Sequence, residues 1–219
     1  MVHAATLTAL ADLSEGQWGL FTRRQAESAG MAWSTLSRLT HDGVAERVTH
    51  GVYRLRGGMI PDHLPLKAAW LALSPDTPAW GRTPAQGVVS HRSAAALLGL
   101  GHLPADVHTF TLPVRRQTRR LEVRLHRGTP ESRIFDGLPV ARPARTAADL
   151  LAAREDPTAI AHIVVDAFRK FHENPAMVAR TIAPHAANFG RHKNSGVALL
   201  EWLLDLSGAP ERDDWLAMT

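Results

Sequence analysis

The sequence predicts an α+β protein. A small N-terminal domain of short helices closed by a β-hairpin precedes an α/β domain with a helical C-terminal end. Three observations predict this. Short helical stretches reach residue 43 and lead into a strand–Gly–strand run with Thr49-His50-Gly51 at its tip. "GGMIPD" at 57–62 is the clearest linker, so the domains are expected at 1–58 and 59–219. Beyond it, mixed strands are expected over 88–140 and helices over 146–207.

The elements follow in order. Residues 3–13 carry Leu7, Leu10 and Leu13 at helical spacing, and Gly16 and Gly19 break that helix. Thr22 is placed to cap "RRQAESA", and Gly30 sits where a helix end favours a left-handed residue. Ser34 is expected to cap the next helix, which stops at "HDG". "DHLPLKAAWLAL" reads as a helix that opens the second domain, and the Pro/Gly-rich 74–87 as a loop. "VVSHRSAAALLGL" reads as a strand end, a Ser90 cap and an Ala/Leu helix, with Ser93 in the opening turn. "DVHTFTLP" and "RLEVRLHR" are strand candidates flanking the basic turn "VRRQTRR", with Leu121, Val123 and Leu125 alternating. "IFDGLPVARP" is a strand–turn–strand, the next four apolar stretches are helices, and the acidic tail "PERDDWLAMT" is expected to fray.

Composition bounds the function. With 45% hydrophobic residues in 219, a proper core is expected rather than disorder. The absence of cysteine excludes disulfides, thiolate metal sites and a cysteine nucleophile. No signal peptide is evident, and no apolar run approaches the ~18 residues of a membrane span, so a soluble cytoplasmic protein without membrane contact is expected. The net charge of +4 is unevenly placed, with 9 basic against 4 acidic residues over 101–145 and 7 against 10 after it. That asymmetry suits nucleic acid in one place and another partner elsewhere, although basic stretches also serve as solvated faces.

The segment 22–55 meets the requirements of a winged helix-turn-helix. Ala26 is small where two helices would cross, Gly30 supplies the turn, and Leu36 and Leu39 form an inner face; Gln25 stands where an apolar residue is usual. At about 100° per residue, Ser34, Ser37, Arg38 and His41 then point outward. With Thr35, they are the candidates to read or anchor a major groove, Arg by bidentate bonding to guanine. Arg47, His50 and Arg54 on the hairpin are the candidates to hold a wing on the phosphate backbone.

The run "FTRRQAESAGMAWSTLSRLTHDGVAERVTHGVYRL" resembles the N-terminal winged helix of the AbiEi-type antitoxins of bacterial abortive-infection systems. The similarity continues through "VVSHRSAAALLGL" and "ARPARTAADLLA", so it covers roughly residues 14 to 155. The resemblance implies an antitoxin and autorepressor that binds repeats in its own promoter. It also implies a cognate nucleotidyltransferase-class toxin encoded beside it, countered through the second domain rather than the winged helix.

Other features keep alternatives open. Arg115, Arg116, Arg119 and Arg120, with Arg191 and Lys193 in a later polar loop, could meet DNA phosphates or an acidic toxin face. His91 or Arg92 could contact a phosphate at a helix start. Asp106 and Glu122 vaguely resemble the carboxylates of a PD-(D/E)xK nuclease, with Arg124 where its Lys should stand. The twelve histidines are scattered without metal-ligand spacing, so neither metal nor cofactor is assigned. The terminal helices, mainly core, could also serve a homodimer or toxin interface. A non-enzymatic, DNA-binding antitoxin is the expectation; an orphan regulator, a nuclease and a pure protein-binding module are the alternatives.

Overall fold

The computed structural model describes residues 4–219, and the expected helix start at His3 lies outside them. The chain divides into two compact units, Met1–Gly87 and Val88–Thr219.

In the first unit, α1 (Ala4–Glu15) turns into β1 (Leu20–Thr22), followed by α2 (Arg23–Ser28) and α3 (Trp33–His41). Thr22 caps α2 through a capping box: its hydroxyl accepts from the Gln25 amide while Gln25 Oε1 accepts from the Thr22 amide. That accounts for Gln25, which is 5% exposed and also accepts a hydrogen bond from Gln17. Gly30 follows α2 at φ +85°, the left-handed turn its position required. The expected Ser34 cap is corrected: Ala32 holds the cap position without a side-chain bond, and Ser34 lies in the first turn. Met31 is drawn into the core, so α3 begins as soon as the chain leaves it.

The hairpin β2 (Ala45–Thr49) and β3 (Val52–Leu55) turns at His50-Gly51, and β3 also pairs with β1 in the order β1-β3-β2. Phe21 opposes Tyr53 across that pairing, their rings stacked 5.9 Å apart. Leu10, Ala26, Met31, Leu36, Leu39 and Ala45 join them in one core.

The unit continues to Gly87, past the boundary expected near residue 58. Helix α4 (Leu64–Leu71) packs on β1 and β2 with Leu66, Ala68, Ala69, Trp70 and Leu71 buried. The segment read as a loop is tied back to the N-terminal elements. Thr22 Oγ1 donates to the Pro75 carbonyl, the Ala79 amide donates to Gln17, and Arg24 pairs with Asp76 at 3.3 Å. Within it, Arg82 donates to the carbonyls of Trp70, Leu71, Ser74 and Thr77, closing the end of α4. Burial pushes the Arg82 guanidinium down to about 10.

The second unit holds β4 (Val88–Val89), α5 (His91–Leu97), β5 (His108–Leu112), β6 (Val123–Arg127), β7 (Ser132–Phe135) and β8 (Leu138–Ala141). They form one mixed sheet in the order β6-β5-β4-β8-β7. The expected turn between β5 and β6 is corrected: these strands run parallel, His108 opposite Val123 and Leu112 opposite Arg127. Residues 113–122 are therefore a return crossing along the sheet, not a hairpin tip. Leu121, expected on an alternating strand face, lies in that crossing and is 94% exposed. Ser90 makes no capping bond; its hydroxyl accepts from Thr111, while Ser93 donates to Val107 and accepts from the Thr109 amide.

The helical end comprises α6 (Pro143–Ala152), α7 (Pro157–Phe171), α8 (Pro175–Ile182), α9 (Gly196–Ser207) and α10 (Arg212–Leu216). Ile160, Ile163, Val164, Ala167, Phe168, Leu199, Leu200 and Leu203 are core, as their spacing predicts. The expected frayed tail is corrected to α10, anchored by Trp215 against Phe168 at 4.9 Å and by the Arg169–Glu211 pair.

Candidate nucleic-acid interface

Helix α3 buries Leu36 and Leu39 and turns Ser34, Ser37, Arg38 and His41 to solvent, with Thr35 half-buried on its flank. The hydroxyl–arginine face predicted from 100° spacing is therefore continuous. No side chain caps the N-terminus of α3 and its first turn carries no acidic residue, so its opening amides favour an anion.

Sequence reasoning missed Trp33. It is the first residue of α3, 46% exposed, with the Arg23 guanidinium 4.5 Å from its ring centre. An aromatic beside a groove-facing serine was the available signal.

On the hairpin, Arg47 is exposed and its Nη2 lies 2.7 Å from His50 Nδ1, so these two expected wing residues stand together. Arg54 does not join them. It is 6% exposed, donating to Glu46 at 2.8 Å and to the Gly58 carbonyl at 2.9 Å. The cause is a register shift between Arg47 and Thr49, which places Glu46 opposite Arg54. Arg54 is a structural residue of the hairpin, and its expected backbone contact is withdrawn.

The hydrogen bond from Arg54 holds the Glu46 carboxyl below its ordinary value of 4.5, and Arg56 adds to this. A depressed carboxyl stabilises the folded state at neutral pH. That contribution is lost as pH falls from 4.5 through the lowered folded value. Arg54→Gln is expected to cost about 1–2 kcal/mol of unfolding free energy by urea titration. It should leave the salt dependence of DNA binding unchanged; a flatter dependence would return Arg54 to the contact face.

Cations on this unit are mostly committed. Arg23 pairs with Glu27, Arg24 with Asp76, and Arg54 and Arg56 with Glu46. Arg38 and Arg47 form no ion pair with a carboxylate among the described residues.

The remaining candidates fall in the second unit. Arg115, Arg116 and Arg119 are exposed on the return crossing, and Arg120 is half-buried. Lys193 is exposed, whereas Arg191, expected to be exposed, lies half-buried with its guanidinium 5.0 Å from the Trp202 ring centre. Asp106 lines a cavity beside Arg92, and Glu122 is exposed with its carbonyl accepting from the His108 amide at 2.8 Å. Among the described residues no group of three or more His, Asp or Glu side chains is placed to hold a metal ion. Among the same residues no helix is long and apolar enough to cross a membrane.

Short helices, a turn glycine, an exposed hydroxyl–arginine helix and a hairpin beside it define a winged helix-turn-helix of the DNA-binding regulators. Residues 9–56, from α1 to the end of the hairpin, match the family described as transcriptional regulator, AbiEi antitoxin. The expected resemblance is thus borne out over the N-terminal region. No curated protein matches the chain.

Proposed function

We propose that this chain is a non-enzymatic antitoxin that represses its own operon by sequence-specific binding to promoter repeats. The observation that carries the reading is the solvent face of α3 beside the Arg47–His50 hairpin, within the segment that matches the antitoxin regulators. Ser34, Thr35, Ser37, Arg38 and His41 read or anchor the major groove. Arg47 and His50 rest on the adjoining phosphate ridge.

The experiment is fluorescence anisotropy with the promoter fragment upstream of the coding sequence, titrated against salt. Each phosphate neutralised contributes a slope of about −0.9 in log K against log[salt]. Arg47→Ala is expected to flatten the slope by about 1 and to weaken all sequences alike. A wild-type affinity indifferent to salt would instead favour a pure protein-binding module.

The second unit counters a nucleotidyltransferase-type toxin. Arg115, Arg116 and Arg119 on an exposed crossing, and Lys193 in the loop before α9, suit the acidic metal-binding face of such an enzyme. The terminal helices supply the homodimer contact on repeated half-sites, in keeping with two-fold operators. Co-expression with the product of the neighbouring reading frame tests the antidote role. Growth protection that survives Arg38→Ala but fails when the three crossing arginines become glutamines supports it; protection independent of those arginines removes them from the toxin contact.

A further inference from the structure

A cavity of about 260 Å³ opens in the second unit between the start of α5, the edge strand β6 and the end of α6. Its polar lining is His91, Arg92, Asp106, Arg124, His126 and Glu155, with Thr109 beside them. Neither the DNA-reading face nor the arginine crossing uses these side chains.

Their arrangement is unusual for a solvated cleft. His91 and His126 stack face to face, ring centres 3.9 Å apart and planes 23° from parallel. His91 holds this place with a left-handed backbone at φ +53°, a strained conformation for a side chain with a Cβ. His126 Nε2 is buried and makes no hydrogen bond among the described residues; neither does Asp149 Oδ2 behind the stack, 3.9 Å from His91 Nδ1. A buried polar atom without a partner is costly unless something supplies one.

Of the two, the His126 imidazole carries the case for an anion, since its N–H donates, whereas Asp149 Oδ2 is an acceptor that an anion does not satisfy. Glu155 is already taken by Arg92, which donates to both its oxygens at 2.7 and 2.5 Å. Asp149 Oδ1 is taken by Arg145 at 2.7 Å. Asp106 is exposed, where water screens it. Arg124 is exposed at the cavity and forms no ion pair among the described residues. Burial pushes His91 down to about 3, with His126, Arg145 and Arg124 lowering it further and Glu155 opposing them, so the ring is neutral. Burial lowers His126 likewise.

We propose that this cavity is a binding site for a terminal phosphate, held by the Arg124 guanidinium with the His91 and His126 imidazoles. A phosphate monoester offers three oxygens to such a donor set, whereas a carboxylate offers two. The same group is carried by a small phosphorylated metabolite and by the 5′ end of a nucleic-acid strand.

Isothermal titration calorimetry of the full chain in the Arg38→Ala background keeps the test apart from promoter binding. The probes are inorganic phosphate, a nucleoside 5′-monophosphate, and a deoxydinucleotide with and without its 5′-phosphate. Phosphate-bearing probes are expected to bind and the unphosphorylated dinucleotide to fail. Arg124→Gln and His126→Gln should each weaken binding by about tenfold or more. Arg124→Gln, at an exposed residue, should leave the ligand-free melting temperature unchanged. Tighter binding of the phosphorylated dinucleotide than of the mononucleotide would identify strand ends as the source, and equal binding a small metabolite. Absence of heat with every phosphate probe, or binding that Arg124→Gln leaves intact, overturns the site.

Discussion

Arg38→Ala is expected to weaken binding to the upstream promoter fragment by about 1–3 kcal/mol, roughly 5- to 150-fold, with relaxed preference among operator variants. Arg38 stands on the solvent side of α3, away from Leu36 and Leu39, and forms no ion pair among the described residues. Its removal therefore costs the folded protein little, and the loss appears in the complex. A phosphate contact would weaken all sequences alike, whereas a bidentate contact to guanine makes the loss depend on the base at one position. The distinguishing measurement is competition between the promoter fragment and single-base variants, beside a melting curve of the free protein. An unchanged affinity with an unchanged melting curve would remove α3 from the groove.

Trp70→Ala is expected to destabilise the first unit by about 3–5 kcal/mol, read from its urea or thermal unfolding transition. Trp70 is 1% exposed, its indole Nε1 donates to the Gly87 carbonyl at 2.7 Å, and Trp18 meets it edge-on at 6.0 Å. The Arg82 guanidinium lies 4.5 Å from its ring centre while closing the end of α4. Truncation leaves a cavity, an unsatisfied carbonyl and a guanidinium without its aromatic support. Because α4 packs on β1 and β2, the damage should spread to the hairpin and lower promoter affinity as well. A loss below about 1 kcal/mol would mean that residues 59–87 contribute little to the unit's stability.

The parts legible in the sequence were those fixed by local rules. Thr22, Gly30, Leu36 and Leu39 act through neighbours within a few residues, and they gave the helices, the turn and the groove-facing side chains. Arg54 was misread because a regular two-residue tip would pair it with Arg47. The register shift instead sets it against Glu46, and nothing in the local sequence marks that shift. The pairing of β5 with β6 was hidden for a similar reason, since strand direction depends on the path of the connection rather than on alternation. Residues 74–87 read as loop because Pro and Gly obscure their ties to Gln17, Thr22 and Arg24. The cavity beside α5 joins residues from four separate segments, and only the fold collects them.

The Glu46–Arg54 pairing has a consequence for how the protein searches a chromosome. With four of its arginines neutralised internally, the reading unit offers few charges to a generic duplex. Sliding and trapping on unrelated DNA are driven by such charges, so they are expected to be weak here. In the proposed repressor, occupancy of the operator would then rest on base recognition and on the pairing of two copies. Repression of the kind proposed would respond steeply to the protein's own abundance, relaxing as copies are lost and returning as they accumulate.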